Sequence, residues 1–107
     1  MPFMRDPLSR EPSRADVEAQ AGWHLLEFGA TWCGHCQVAQ PALQAFVGAS
    51  DLLHSKIEDG KGKPLGRSFK VKLWPTLVLL HDGKEVARVV RPVSSADLAT
   101  LQGALPG

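Results

Sequence analysis

The segment FGATWCGHCQVAQP, Phe28 to Pro41, holds the chain's two cysteines, Cys33 and Cys36, three positions apart. Such a pair can be part of a metal site, a structural staple or a working redox couple. Its flanks narrow the choice. Ahead of it, WHLLEFGA (23–30) is nearly continuous in apolar residues and bounded by Gly22, the pattern of a strand buried on both faces. Behind it, Ala39, Leu43 and Phe46 recur at helical spacing, so a helix is expected from about Cys33 to Ala49. Pro41 lies inside that helix and should remove one backbone hydrogen bond and bend the axis. Cys33 then falls at a helix N-terminus, where unpaired N–H groups and the helix dipole favour a negative sulfur. Cys36, one turn further in, should be shielded. That geometry makes Cys33 the attacking nucleophile and Cys36 the resolving thiol. Between them, Gly34 keeps the turn open, and His35 can carry positive charge near the Cys33 sulfur, which stabilises the reduced form.

At 107 residues, 44% of them apolar, the chain can build one core but not two. Residues 1–12, with Pro2, Pro7 and Pro12, read as an irregular arm with a short edge strand around Phe3, and residues 13–107 as one domain. Ser13, with Asp16 three residues on, is expected to cap a short helix ending at Gly22. LLHSKIED (52–59) reads as a second strand, DGKGKPLG (59–66) as a loop, and PLGRSFKV (64–71) as a short helix with Pro64 in its first turn. TLVLL (76–80) and KEVARVV (84–90) flank Asp82-Gly83, a hairpin signal. A closing helix is expected from Ser94 or Ser95, with Asp97 in its first turn and Leu98, Leu101 and Leu105 on one face. The order α, β, α, β, α, β, β, α points to an α/β fold, a mixed sheet of four to five strands with helices on both faces.

Twelve basic residues stand against eleven acidic ones, a formal net charge of +1, so the overall balance draws the chain toward neither nucleic acid nor membrane. No apolar run approaches the roughly 18 to 20 residues that span a bilayer, and MPFMRDPLSREPSR lacks a secretory apolar stretch. As written, the chain is expected in the cytoplasm, where a lone close cysteine pair suggests chemistry more than stapling. Zinc is the main chemical alternative. It needs four ligands, and His24, His35, His54 and His81 supply no second pair at finger spacing. Haem attachment needs His where Gln37 stands. Two buried core cysteines that merely lie close are the remaining alternative.

WCGHC after a buried strand, Pro41 five residues after the second cysteine, and WPT (74–76) ahead of a strand and an Asp-Gly hairpin resemble the thioredoxin superfamily, from roughly Trp23 to Leu105. The Gly34-His35 dipeptide is the one typical of disulfide isomerase domains, where thioredoxins have Gly-Pro. The resemblance implies a thioredoxin fold, with Pro75 cis beside the two sulfurs and presenting backbone groups to an extended substrate segment. It also places Glu27 where thioredoxins carry a buried Asp, as acceptor of the Cys36 proton, with Lys56 at the position of a lysine beside that carboxyl. Catalysis is thereby assigned to Cys33, Cys36, Glu27, His35 and Lys56, and substrate binding to Trp32, Gly34, Trp74, Pro75 and Arg91.

Three positions depart from the pattern. Gly29 stands where thioredoxins usually carry an aromatic residue, and Trp74 where a smaller one is common, so the Trp74 ring is expected to fill the space Gly29 leaves. Arg91-Pro92 replaces a glycine and suggests a different client range. The function implied is that of a thiol–disulfide oxidoreductase, a reductase of protein disulfides acting through a mixed disulfide at Cys33, monomeric and needing no bound cofactor or metal. Electrons would pass through a partner reductase or the low-molecular-weight thiol pool. The alternatives are a docking module with idle or regulatory cysteines, and a disulfide oxidant or isomerase.

Overall fold

The computed structural model describes residues 3–106, and its sheet is built around β1 (Trp23–Gly29). This strand pairs in parallel with β2 (Leu53–Glu58) and antiparallel with β3 (Thr76–His81), which pairs in turn with β4 (Lys84–Val90). The order is β2-β1-β3-β4, four strands in all among the described residues. A central strand meets cores on both sides, which is why WHLLEFG is apolar without alternation. On one face Leu25, Leu77 and Leu79 pack against Ala39, Leu43, Phe46 and Val47 of α2 (Gly34–Gly48), joined by Leu98 and Leu101. On the other, Leu26, Phe28, Ile57, Val78 and Leu80 meet Val17 of α1 (Arg14–Ala19), Leu65 of α3 (Pro64–Ser68) and Phe69.

The local signals act where they were read, with corrections at the edges. Ser13 and Asp16 cap α1 reciprocally, Asp16 N–H donating to Ser13 Oγ at 3.0 Å and Ser13 N–H to Asp16 Oδ2 at 3.3 Å. The helix stops at Ala19, short of Gly22, whose φ of 80° turns the chain into β1. At the β3–β4 hairpin both Asp82 (φ 51°) and Gly83 (φ 81°) are left-handed, as a type I′ turn requires. Helix α2 runs unbroken through Pro41, which leaves the Gln37 carbonyl without its usual N–H donor.

No strand forms around Phe3 among the described residues. Residues 3–12 are neither helix nor strand. Leu8 N–H donates to Lys56 O at 2.8 Å, but neighbouring Pro7 has no N–H to extend the pairing, so the arm lies along β2 without joining the sheet. The closing helix also differs from expectation. Residues Ser95–Leu98 form a 3₁₀ turn that runs into α4 (Ala99–Ala104), and Leu105 is extended (φ −80°, ψ 149°). Leu105 precedes Pro106, whose ring disfavours helical backbone in the residue before it.

Candidate active site

Cys33 is the N-cap of α2, and its Sγ accepts the N–H of Cys36 at 3.3 Å. A tight turn puts it there, Cys33 N–H donating back to Ala30 O at 3.2 Å. The two sulfurs are unpaired thiols, and Cys36 is 5% exposed. Burial pushes the Cys36 thiol up to about 12, helped by its hydrogen bond to Cys33; a hydrogen bond with the Ala30 backbone opposes this, and the charges of Cys33 and Glu27 add lesser upward effects. The inner thiol therefore holds its proton at neutral pH.

Gly29 accounts for how Cys36 fits. A Cβ at residue 29 would stand 2.6 Å from Cys36 Sγ, so the sulfur occupies the space that a side chain would need. This corrects the expectation that the Trp74 ring fills it. Trp74 packs instead against Ala30, Cys33 and Cys36 from another side. Its Nε1–H donates to Asp59 Oδ2 at 2.9 Å, and its ring meets Trp32 edge-on at 5.5 Å between centroids.

Behind Cys36, Glu27 is 1% exposed, and its neighbours turn donors toward it. His54 Nε2 lies 2.9 Å from Oε1, Gln40 Nε2 donates to Oε2 at 2.8 Å, and Lys56 Nζ stands 3.9 Å from Oε2. The His54 tautomer follows from its other nitrogen: Met4 N–H donates to Nδ1 at 2.8 Å, so the proton of the neutral ring sits on Nε2 and points at Glu27. Gln40 ties the cluster to α2, donating also to Cys36 O at 2.8 Å and accepting from Lys56 Nζ at 3.0 Å. Lys56 Nζ donates to Arg5 O at 3.0 Å as well, so the arm covers the cluster. A cavity of about 50 Å³ reaches from Glu27 and Lys56 to Cys36, with Pro7 and Gly29 on its walls.

The Trp74–Pro75 peptide bond is cis, as expected. Pro75 Cβ lies 4.0 Å from the Cβ position of Gly29, at the sulfurs, and Pro75 O accepts Arg91 N–H at 2.9 Å. Arg91 holds a left-handed φ of 54°, and its Nε donates to Trp74 O at 2.9 Å. Gly34 has open space around it, and Trp32 is 74% exposed. His35 is exposed in the first turn of α2 and forms no hydrogen bond or ion pair among the described residues. Every other residue named from the sequence converges on the cysteine turn or on the carboxylate behind it.

Gln40 and Asp59 went unnoticed in the sequence, and His54 was weighed there only as a metal ligand. Gln40 stands one helical turn after Cys36, and His54 two residues before Lys56, on the same face of a strand, so periodicity carried a signal for both. Asp59 sits in a loop and had none.

The thioredoxin family model matches residues 7–102. Thioredoxin 2 from Pseudomonas aeruginosa PAO1, solved in its reduced form, is 51% identical with a TM-score of 0.80, covering 94% of this chain and 96% of that one. Thioredoxin H2-2 of Oryza sativa subsp. japonica is 40% identical over 67 residues, 62% of this chain and 50% of its own length. A thioredoxin of Mycobacterium tuberculosis is 38% identical over 76 residues, 69% of this chain and 66% of the relative. The chain thus spans between about half and two thirds of the length of these two curated relatives. A family model that takes in nearly all of the sequence, and a solved neighbour of this similarity from end to end, lead to one conclusion: the chain belongs to the thioredoxin family.

Proposed function

We propose that the protein is a thiol–disulfide oxidoreductase that reduces disulfides in other proteins. The observation that carries this reading is the unequal pair: both thiols are buried, but Cys33 caps α2 and its sulfur accepts the Cys36 N–H, while Cys36 keeps its proton up to about pH 12. Cys33, as thiolate, attacks one sulfur of the client disulfide; a mixed disulfide forms and the other client sulfur leaves as thiolate. Cys36 then loses its proton, attacks Cys33 Sγ and expels the second client thiolate. The client gains two electrons, and Cys33 and Cys36 become a disulfide.

Glu27 is the acceptor of the Cys36 proton. The cavity between them is wide enough for water, which can carry the proton across. Lys56, Gln40 and His54 act as positioning residues for that carboxylate. Trp32, Gly34, Trp74, Pro75 and Arg91 form the client-facing rim, and the exposed His35 acts on the potential of the couple through its charge.

The dithiol is restored by a partner reductase or by low-molecular-weight thiols, with no bound cofactor. The protein works as a monomeric domain over residues 13–107, transferring electrons in redox homeostasis in a reducing compartment such as the cytoplasm. No helix among the described residues is long and apolar enough to cross a membrane.

The test is the Cys33–Cys36 reduction potential, obtained by equilibrating the protein in glutathione buffers and counting free thiols by mass. A value near about −270 mV agrees with a reductase. One near about −180 mV or above assigns an oxidant or isomerase, and a pair that forms no disulfide at any poise removes the redox reading.

A further inference from the structure

Residues 61–72, KGKPLGRSFKVK, hold five of the chain's twelve lysines and arginines and no Asp or Glu. Outside this stretch the chain is acidic, with seven basic residues against eleven acidic ones. The fold gathers the five cations into one place. Lys61, Lys63, Arg67, Lys70 and Lys72 all line an open groove of about 610 Å³ and all are exposed. Among the described residues, none of the five side chains takes part in an ion pair or hydrogen bond. The groove's one carboxylate, Asp59, is already engaged by Trp74 Nε1 at 2.9 Å and packs against Gly66. Five unpaired cations converging on a concavity form a local positive field that the net charge of +1 conceals.

The end of the groove says what belongs in it. Its Trp74 wall is the same side chain that packs against Cys33 and Cys36, so a ligand lying along the groove reaches the cysteine turn. We propose that the groove is a docking site for an acidic segment of the protein whose disulfide meets Cys33, flanking glutamates and aspartates pairing with the Lys61–Lys72 cations. What waits at the end of the groove rests on the oxidoreductase reading; the charge preference of the groove does not. Contacts of this kind steer encounter and select among partners more than they hold them, so the selection should be strong in dilute salt and weak in concentrated salt. A nucleic acid strand would find the charges too, but it brings no disulfide to the sulfurs.

The test uses the full chain and a glutamate-rich peptide with serine in place of cysteine, so that binding is read without any thiol chemistry. Its affinity, followed by tryptophan fluorescence, is compared with that of the same peptide carrying glutamine for glutamate. At low salt the acidic peptide should bind about tenfold more tightly, and the preference should vanish near 1 M salt, where charges are screened beyond about 3 Å. It should also vanish in the double variant Lys61→Glu, Lys72→Glu. Equal affinity for the two peptides at low salt overturns the proposal, as does a preference that survives in the double variant. An oligothymidylate that binds as tightly as the acidic peptide overturns the assignment to a protein segment. Because no cysteine is involved, these results stand whether or not the dithiol turns over.

Discussion

Glu27 and Cys36 share a cavity, and Cys36 holds the proton that the proposed mechanism passes to Glu27 when the mixed disulfide resolves. Replacing Glu27 with Gln should therefore slow client release by about a hundredfold, the scale of a positioned base, while alkylation of Cys33 changes little. Stopped-flow release measured beside iodoacetamide trapping separates the two steps, and equal effects on both would remove the proton-transfer role. Gly29 is the other decisive residue. A Gly29→Ala methyl would stand 2.6 Å from Cys36 Sγ, and the buried sulfur has nowhere easy to move. A cost of about 1–3 kcal/mol in denaturant unfolding is expected, with Cys36 displaced from its line of attack. Both cysteines were legible from their spacing between a buried strand and a helix start, whereas the role of the Glu27 carboxylate came from the family resemblance, its apolar neighbours in β1 arguing only for burial. The Trp74 placement was not legible, since which neighbour fills a vacated volume depends on three-dimensional packing that no spacing encodes.

Elements carry the site through a few contacts between them. Helix α3 presses Gly66 against the Asp59 carboxylate, and Asp59 holds the Trp74 indole. A Gly66→Ala methyl collides with that carboxylate, so it should shift Asp59 and free Trp74 Nε1. The emission of Trp74, read in a variant with Trp23 and Trp32 replaced by Phe, should move toward that of solvated indole; unchanged emission would mean that Asp59 does not position the ring. Elements were the most legible scale. β1, β2, the β3–β4 hairpin and α2 follow from apolar runs, an Asp-Gly turn and helical periodicity. Failures lie where local rules compete: Pro106 draws Leu105 out of α4, and Pro7 keeps the arm from becoming an edge strand.

Across the whole molecule, the sheet encloses a histidine with an incomplete set of partners. His24 is buried in β1 with Nε2 2.8 Å from Ser55 Oγ, while its Nδ1 has no partner among the described residues. Burial, and secondarily the proximity of His54, lower its pKa from 6.5 to about 4. Above about pH 6.5 the ring is neutral folded or unfolded, and this group contributes no pH dependence to stability. Below it the unfolded chain takes up a proton that the folded state refuses, so stability falls by about 1.4 kcal/mol per pH unit until the folded pKa near 4, about 3 kcal/mol in total. Denaturant unfolding between pH 7 and 4 should show that slope, flattened in His24→Asn; an equal slope in both would locate the acid sensitivity elsewhere. The central claim is that Cys33 attacks and Cys36 resolves, and trapping tests it most directly. Cys36→Ser, mixed with a disulfide-bearing peptide, should accumulate a covalent adduct mapped by mass to Cys33, while Cys33→Ser accumulates essentially none on the same timescale. An adduct forming as fast on Cys36 of the Cys33→Ser protein would contradict the account.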